Sequence, residues 1–196
     1  MTKYKSLEDG ISVNKQTVIS VIKALPVGEK MRKDLLKRNN IEIDSDAEWF
    51  SQQDWLNCFS DIQNLWGERV LFLIGRAIVR NAKFPKINSL KDALEKLDIA
   101  YHLNHCKDNK IMYDADKNFM MEGIGHYKLV KYDENEKKAI VVCDNPYPSM
   151  FDLGILDELV KRFSMDENLN AKVYLDSTKE TRRTGGKTCT YIVEWE

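Results

Sequence analysis

The sequence has 196 residues, 43% of them hydrophobic, with 30 Lys+Arg against 31 Asp+Glu and a formal net charge of −1. That is enough chain for one ordinary core and too little for two. The composition excludes a disordered or fibrous protein, and the balanced charge leaves no basic field to hold a nucleic-acid backbone.

Residues 1–10 contain no apolar run of signal-peptide length, and the longest apolar stretch, Val70 to Val79, is interrupted by Arg76 and far short of the roughly 20 residues of a membrane span. A cytoplasmic chain with no membrane span is expected. Cys58, Cys106, Cys143 and Cys189 are scattered, with no Cys-x-x-Cys pair, as suits reduced thiols packed as small apolar groups.

Asn14 to Leu25 places Val18, Val21, Ile22 and Leu25 on one helical face, and Pro26 ends it. Val27 to Arg38 carries Met31 and Leu35 opposite Lys30, Arg32, Lys33, Lys37 and Arg38, a charge run read as a solvated helix face. Asn39-Asn40 stops it before an extended Ile41-Glu42-Ile43. Asp46 is a candidate N-cap for a helix in which Trp55, Phe59, Ile62 and Trp66 form a stripe of large side chains. Glu68 to Ala82 is apolar on most sides and reads as a central helix, and Ser89 caps a third helix with Leu90, Ala93, Leu94 and Leu97 on one face.

A polar connection from Lys107 to Gly123 then leads into β-type runs. His126–Tyr132 and Lys138–Cys143 read as a hairpin, and Phe151–Phe163 returns to helical spacing. Lys172–Asp176 and Thr188–Trp195 read as a second strand pair, in which Cys189, Tyr191, Val193 and Trp195 alternate and so face one way. The predicted fold class is α+β: an N-terminal helical half packed on a C-terminal antiparallel sheet of hairpin-helix-hairpin order. Residues 1–196 are expected to be a single domain, divided into a helical extension (1–44), a helical half (45–106) and a ββαββ half (124–196).

No Gly-rich phosphate loop and no Gly-x-Ser-x-Gly elbow occurs, so nothing marks a nucleotide hydrolase or an α/β-hydrolase. The chemistry-bearing group is the histidine set. His102 and His105 are three apart, a spacing that shares a helix face, and His126 or Cys106 offers a third ligand for a metal. Alternatively the pair caps a helix end and His126 packs at a strand start.

The most distinctive text is Ala139-Ile-Val-Val-Cys-Asp-Asn-Pro-Tyr-Pro-Ser-Met-Phe-Asp-Leu-Gly154 and Glu180-Thr-Arg-Arg-Thr-Gly-Gly-Lys-Thr-Cys-Thr-Tyr-Ile-Val-Glu-Trp195. It resembles the four-vinyl-reductase domain, a small-molecule-binding module related to the haem nitric-oxide-binding domain and to the TRAPP tethering subunits. The resemblance implies a zinc held by cysteines and a nearby acidic residue, at positions where this chain has Ser149, Thr178, Thr181 and Cys189. Only Cys189 is a thiol, and one thiolate, even with Cys143 across the sheet, does not make a structural zinc site, so none is expected. The haem-binding relatives imply a helix-borne His on iron and a Tyr-x-Ser-x-Arg run for the propionates. Here Tyr147-Pro-Ser-Met-Phe151 ends in Phe instead of Arg. No cofactor is therefore expected, with haem as the alternative.

The expected function is a non-enzymatic sensor or regulatory module that binds a small hydrophobic or aromatic ligand and acts through a homodimer or a partner protein. Candidate ligand-binding residues are Trp66, Phe84, Tyr101, His102, His105, His126 and Tyr147; no catalytic or metal-ligating residue is assigned. Two alternatives stay open: a haem- or metal-binding protein using His102, His105 and His126, and an unliganded assembly module of TRAPP type.

Overall fold

A strand precedes the first helix. In the computed structural model, which describes residues 4–80, 86–166 and 169–196, β1 (Ile11–Asn14) buries Ile11 and Val13 and ends on Asn14. The Asn14 side chain accepts the Gln16 N–H at 2.9 Å and so caps α1 (Lys15–Ala24), whose buried residues include Val18, Val21 and Ile22. α2 (Glu29–Arg38) buries Leu35 and Leu36 while Met31 stays half-exposed. Its cations pair locally, Lys30 with Asp34 and Lys33 with Glu29, each at 3.2 Å.

Two expectations fail here. Ile41–Ile43 has no ladder partner and forms no strand, although Ile41 is buried. The next helix begins later than Asp46, because β2 (Trp49–Ser51) pairs with β1 first and Ser51 then caps α3 (Gln52–Trp66) by accepting the Asp54 N–H. The stripe Trp55, Phe59 and Ile62 is fully buried, but Trp66 is only partly so. Gly67, with φ 81°, turns the chain into α4 (Glu68–Val79). Ser89 caps α5 (Leu90–Leu103), as its position predicts, and Leu90, Ala93, Leu94 and Leu97 are all buried.

α5 stops at Asn104 and runs directly into β3 (His105–Lys107), which pairs antiparallel with the other edge of β1. The short β4 (Lys110–Ile111) completes a sheet of order β2-β1-β3-β4. β5 (Tyr113–Asp114) and β6 (Phe119–Met120) form a separate ribbon within the stretch expected to be a plain connection. β7 (Tyr127–Asp133) and β8 (Lys138–Cys143) form the expected hairpin, with a bulge at Leu129/Lys131. α6 (Ser149–Asp166), β9 (Ala171–Leu175) and β10 (Cys189–Trp195) follow, separated by a short 3₁₀ turn at Arg182–Thr184. The main sheet is antiparallel, in the order β7-β8-β10-β9. The alternating residues Cys189, Tyr191, Val193 and Trp195 all point inward, so the predicted α+β class holds.

The helical layer meets the sheet through α6, which crosses α4 at unusually short range. A Cβ on Gly75 would lie 2.1 Å from the Phe151 carbonyl oxygen, and one on Gly154 would lie 2.1 Å from the Phe72 carbonyl oxygen. Two glycines facing each other's helix backbone are what let the helices touch. Among the described residues, no helix is long and apolar enough to cross a membrane.

Candidate functional site

A small apolar cavity of about 50 Å³ lies where α5, α6 and the β8–α6 loop meet. Its walls include Trp55, Ile78, Tyr101, His105, Tyr147 and Phe151. Edge-on aromatic contacts pack this wall: Phe59 lies 5.5 Å from Tyr147 and 4.7 Å from Phe151, and Tyr101 lies 4.6 Å from His105 between ring centroids.

The polar groups facing it are each paired. Tyr101 donates its hydroxyl to the Ile124 carbonyl (2.7 Å) and Tyr127 donates to Asp152 (2.5 Å). His105 Nδ1 lies 2.8 Å from the Tyr101 carbonyl, an acceptor, so Nδ1 carries the hydrogen and Nε2 the lone pair. Tyr147 donates its hydroxyl to that Nε2 at 2.7 Å. Burial pushes the imidazole down to about 4, against the carbonyl of Tyr101 but with help from the nearby His102. His105 is therefore a neutral base enclosed in apolar surroundings.

A pH dependence follows. Between the ordinary histidine value of 6.5 and about 4 the unfolded chain takes up a proton that the folded chain refuses. Stability is thus expected to fall as pH falls through that window, by on the order of 3 kcal/mol at its lower end. Urea unfolding at pH 7 and pH 4.5 checks this, with His105→Gln as reference. An equal acid-induced loss in the variant would refute the assignment.

Tyr147 is held from behind. Its N–H donates to Asn145 Oδ1 (2.9 Å), and the same oxygen accepts from Arg182 Nη1 (2.9 Å). Arg182 also forms an ion pair with Asp152, whose side chain is fully buried, and donates to the Asn145 carbonyl. At the other end of the cavity, Asn104 ties α5 to the N-terminal segment: its carbonyl accepts the Asn14 N–H (3.0 Å) and its side chain accepts the Thr17 hydroxyl (3.0 Å).

The structure distributes the predicted residues unevenly. Tyr101, His105 and Tyr147 line one cavity. His102 and His126 do not join them and form a separate cluster with Asp98. The shared face expected from the three-residue spacing is lost because the helix ends between the two histidines and His105 belongs to a strand. In the second cluster, burial lowers the His102 pKa against the pull of Asp98. Burial also opposes the charge on His126, but its hydrogen bonds to Glu122 and Asp98 outweigh this and raise its pKa. Trp66 sits partly exposed at the end of α3, away from the cavity walls, and Phe84 lies outside the described residues.

The positions taken from the zinc-binding relatives come together in part. Ser149 Oγ lies 3.1 Å from Cys189 Sγ, the Arg182 N–H approaches that sulfur at 3.4 Å, and Thr181 is buried. Cys143 pairs with Cys189 in register, while Thr178 is exposed in a turn closed on Asp176. Sequence reasoning missed Asp98, Asp152 and Arg182. Asp98 carries a readable signal, four residues before His102 on one helix face. Asp152, a lone carboxylate at the start of an apolar helix, carries a weaker one.

No protein-family model matches the sequence, and none of the curated proteins does. Solved structures do share the fold. An H-NOX protein from S. oneidensis in the Fe(II) ligation state aligns over 93% of this chain and 96% of its own, at TM-score 0.62 and 12% identity. An oxygen-binding H-NOX domain related to soluble guanylate cyclases aligns over 93% and 95%, at TM-score 0.60 and 15% identity. A structure concerned with haem distortion in the H-NOX family gives the same coverage, TM-score and identity. At such identities the likeness is one of fold. It shifts the resemblance from the four-vinyl-reductase and TRAPP proteins to the H-NOX domains. It also overturns the expectation of a chain without cofactor, since the structures that share this fold include ones described by their haem.

Proposed function

We propose that this chain is a small-molecule sensor domain whose ligand occupies the His105 cavity, and that this ligand is haem, held through His105 Nε2. The observation that carries the reading is the state of the imidazole. Its Nδ1–H is spent on a backbone carbonyl, leaving a neutral ring whose buried Nε2 lone pair is met by the Tyr147 hydroxyl, in the tautomer in which histidine ligates iron. The fold likeness to an oxygen-binding H-NOX domain supports it.

The donor fits haem; the room has to be made. The cavity's 50 Å³ is well under the roughly 300 Å³ at which small-molecule pockets begin. Tyr147 must give up its hydrogen bond to Nε2, and Phe59 and Phe151 must draw back from it. Phe151 brings no charge to the propionates, and Arg182 is already committed to Asp152. Bound haem would supply an open iron position for a diatomic gas. The residues of the chain would hold the group and exclude water, with His105 as the donor and the Phe59, Tyr147 and Phe151 rings as apolar wall. In this reading the chain works as one cytoplasmic domain, with its output passing to a second copy or a partner protein.

A second reading rests on the small cavity and the Tyr147–His105 bond: a smaller aromatic ligand whose own hydroxyl replaces that of Tyr147. Titration of the purified chain with haem separates the two. One equivalent is expected to give a Soret band that His105→Gly loses and free imidazole restores. No Soret band, together with a thermal shift from small phenols, would move the reading to the second ligand class. Neither response would overturn both.

A further inference from the structure

We propose that Asp98, His102 and His126 form a binding site for a single divalent ion of the zinc class, separate from the cavity at His105. One ligand atom from each of the three lies within 4.8 Å of the others. Both His102 nitrogens bear on this: Nδ1 lies 3.5 Å from Asp98 Oδ1, and Nε2 is the atom left over. Its ring is completely buried, and Nδ1 lies 2.8 Å from the Asp98 backbone carbonyl, so the hydrogen sits on Nδ1 and the lone pair on Nε2. That Nε2 has no hydrogen-bond partner. A buried acceptor without a donor is costly, so something other than packing has to explain it.

The neighbours supply what a cation needs. The His126 ring lies 5.0 Å from that of His102, and Asp98 Oδ2 is 2.8 Å from His126 Nδ1. An Asp98–His126 ion pair accounts for those two residues alone and leaves the His102 lone pair unexplained; a cation shared by the three accounts for all of them. The supports are in place as well. Asp98 Oδ1 accepts the Tyr127 N–H at 2.9 Å and the Asp98 carbonyl fixes the His102 tautomer, the backing that metal-ligating carboxylates and imidazoles ordinarily have. Glu122 Oε2, 3.1 Å from His126 Nε2 and exposed, accepts the hydrogen on the far side of that ring and so backs it as a supporting residue.

Two imidazoles and a carboxylate select zinc-class ions over calcium or magnesium, which prefer all-oxygen shells. Tetrahedral bonds of about 2.0–2.1 Å set ligand atoms roughly 3.3 Å apart, so the cluster has to rearrange: Asp98 Oδ2 and His126 Nδ1, now 2.8 Å apart, must part, and the His102 ring must turn its Nε2 toward them. The ion takes the place of the proton that His126 now shares with Asp98, and that proton leaves to solvent.

The test uses the haem-free, chelator-treated chain and Zn²⁺ alone, in competition with a chromophoric chelator. One equivalent is expected to bind. His126→Gln should weaken it by at least about 100-fold, more than the loss of a supporting residue, and Glu122→Gln by about tenfold or less. Melting curves of both variants report on folding. Co²⁺ in place of Zn²⁺ should give a four-coordinate visible spectrum without thiolate charge transfer. Failure of the unsubstituted chain to bind one equivalent, unchanged affinity in folded His126→Gln, or a thiolate band pointing to the buried cysteines would each overturn the proposal. None of these outcomes depends on whether haem binds at His105.

Discussion

Gly75→Ala is expected to lower stability by at least about 3 kcal/mol, at the upper end of what overpacking a core usually costs. The added methyl would sit 2.1 Å from the Phe151 carbonyl oxygen and 3.1 Å from the Ile155 N, both on the α6 backbone, which no side-chain rotation can move aside. The helices would have to separate by more than an ångström along their closest line, losing contacts for Ile74 and Ile78 on one side and Phe151 and Ile155 on the other. Gly154→Ala meets the same obstacle from α6, at the Phe72 carbonyl. For a chain of this length the melting temperature should drop by roughly 6–12 °C. Gly28→Ser is the control: a Cβ there meets nothing within 4 Å, and a serine can cap α2. Calorimetry that finds Gly75→Ala as stable as Gly28→Ser would show that the two helices do not cross as described.

Arg182→Ala should cost about 3–5 kcal/mol, because it leaves the buried Asp152 carboxylate with neutral partners, the Tyr127 hydroxyl and the Asn145 amide, and no counter-charge. Most of that cost is the unpaired charge and not the attraction lost, so Arg182→Met combined with Asp152→Leu should recover a large part of it. The single variant also removes a donor from Asn145, which holds the Tyr147 backbone. Tyr147 should then leave His105 more readily, and the His105 imidazole should become more accessible to added ligands. Denaturant unfolding of the two single variants and the double variant checks the energetics. A double variant no better than Arg182→Ala would mean that the pair acts through geometry and not through charge burial.

The helices and the large sheet were legible in the sequence because each is a local pattern. Trp55, Phe59 and Ile62 repeat at helical spacing, and Cys189, Tyr191, Val193 and Trp195 alternate, and all are buried as those periods require. β1 and β2 were not legible. They have four and three residues, and their partners lie about 40 and 90 positions away, so tertiary pairing and not propensity makes them strands. Ile41–Ile43 shows the converse, an apolar alternation that finds no neighbour to pair with. At the site, Tyr101, His105 and Tyr147 were identifiable by chemistry, but the separation of His102 from His105 depends on the helix ending at Leu103, two residues before His105. Boundaries that fine are set by the β1–β3 pairing and not by local sequence. The Asp152–Arg182 pair joins positions 30 apart around a turn, beyond what spacing can reveal.

The position of β1 between β2 and β3 also dictates an order of events as the chain emerges from the ribosome. The first strand made cannot complete its ladder until His105–Lys107 has been synthesised, and α4 waits longer still for α6. Until then the face of α4 around Gly75 stands exposed, as does the unpaired edge of β1. This topology trades local contacts for distant ones, and pairing that must wait for distant segments slows folding.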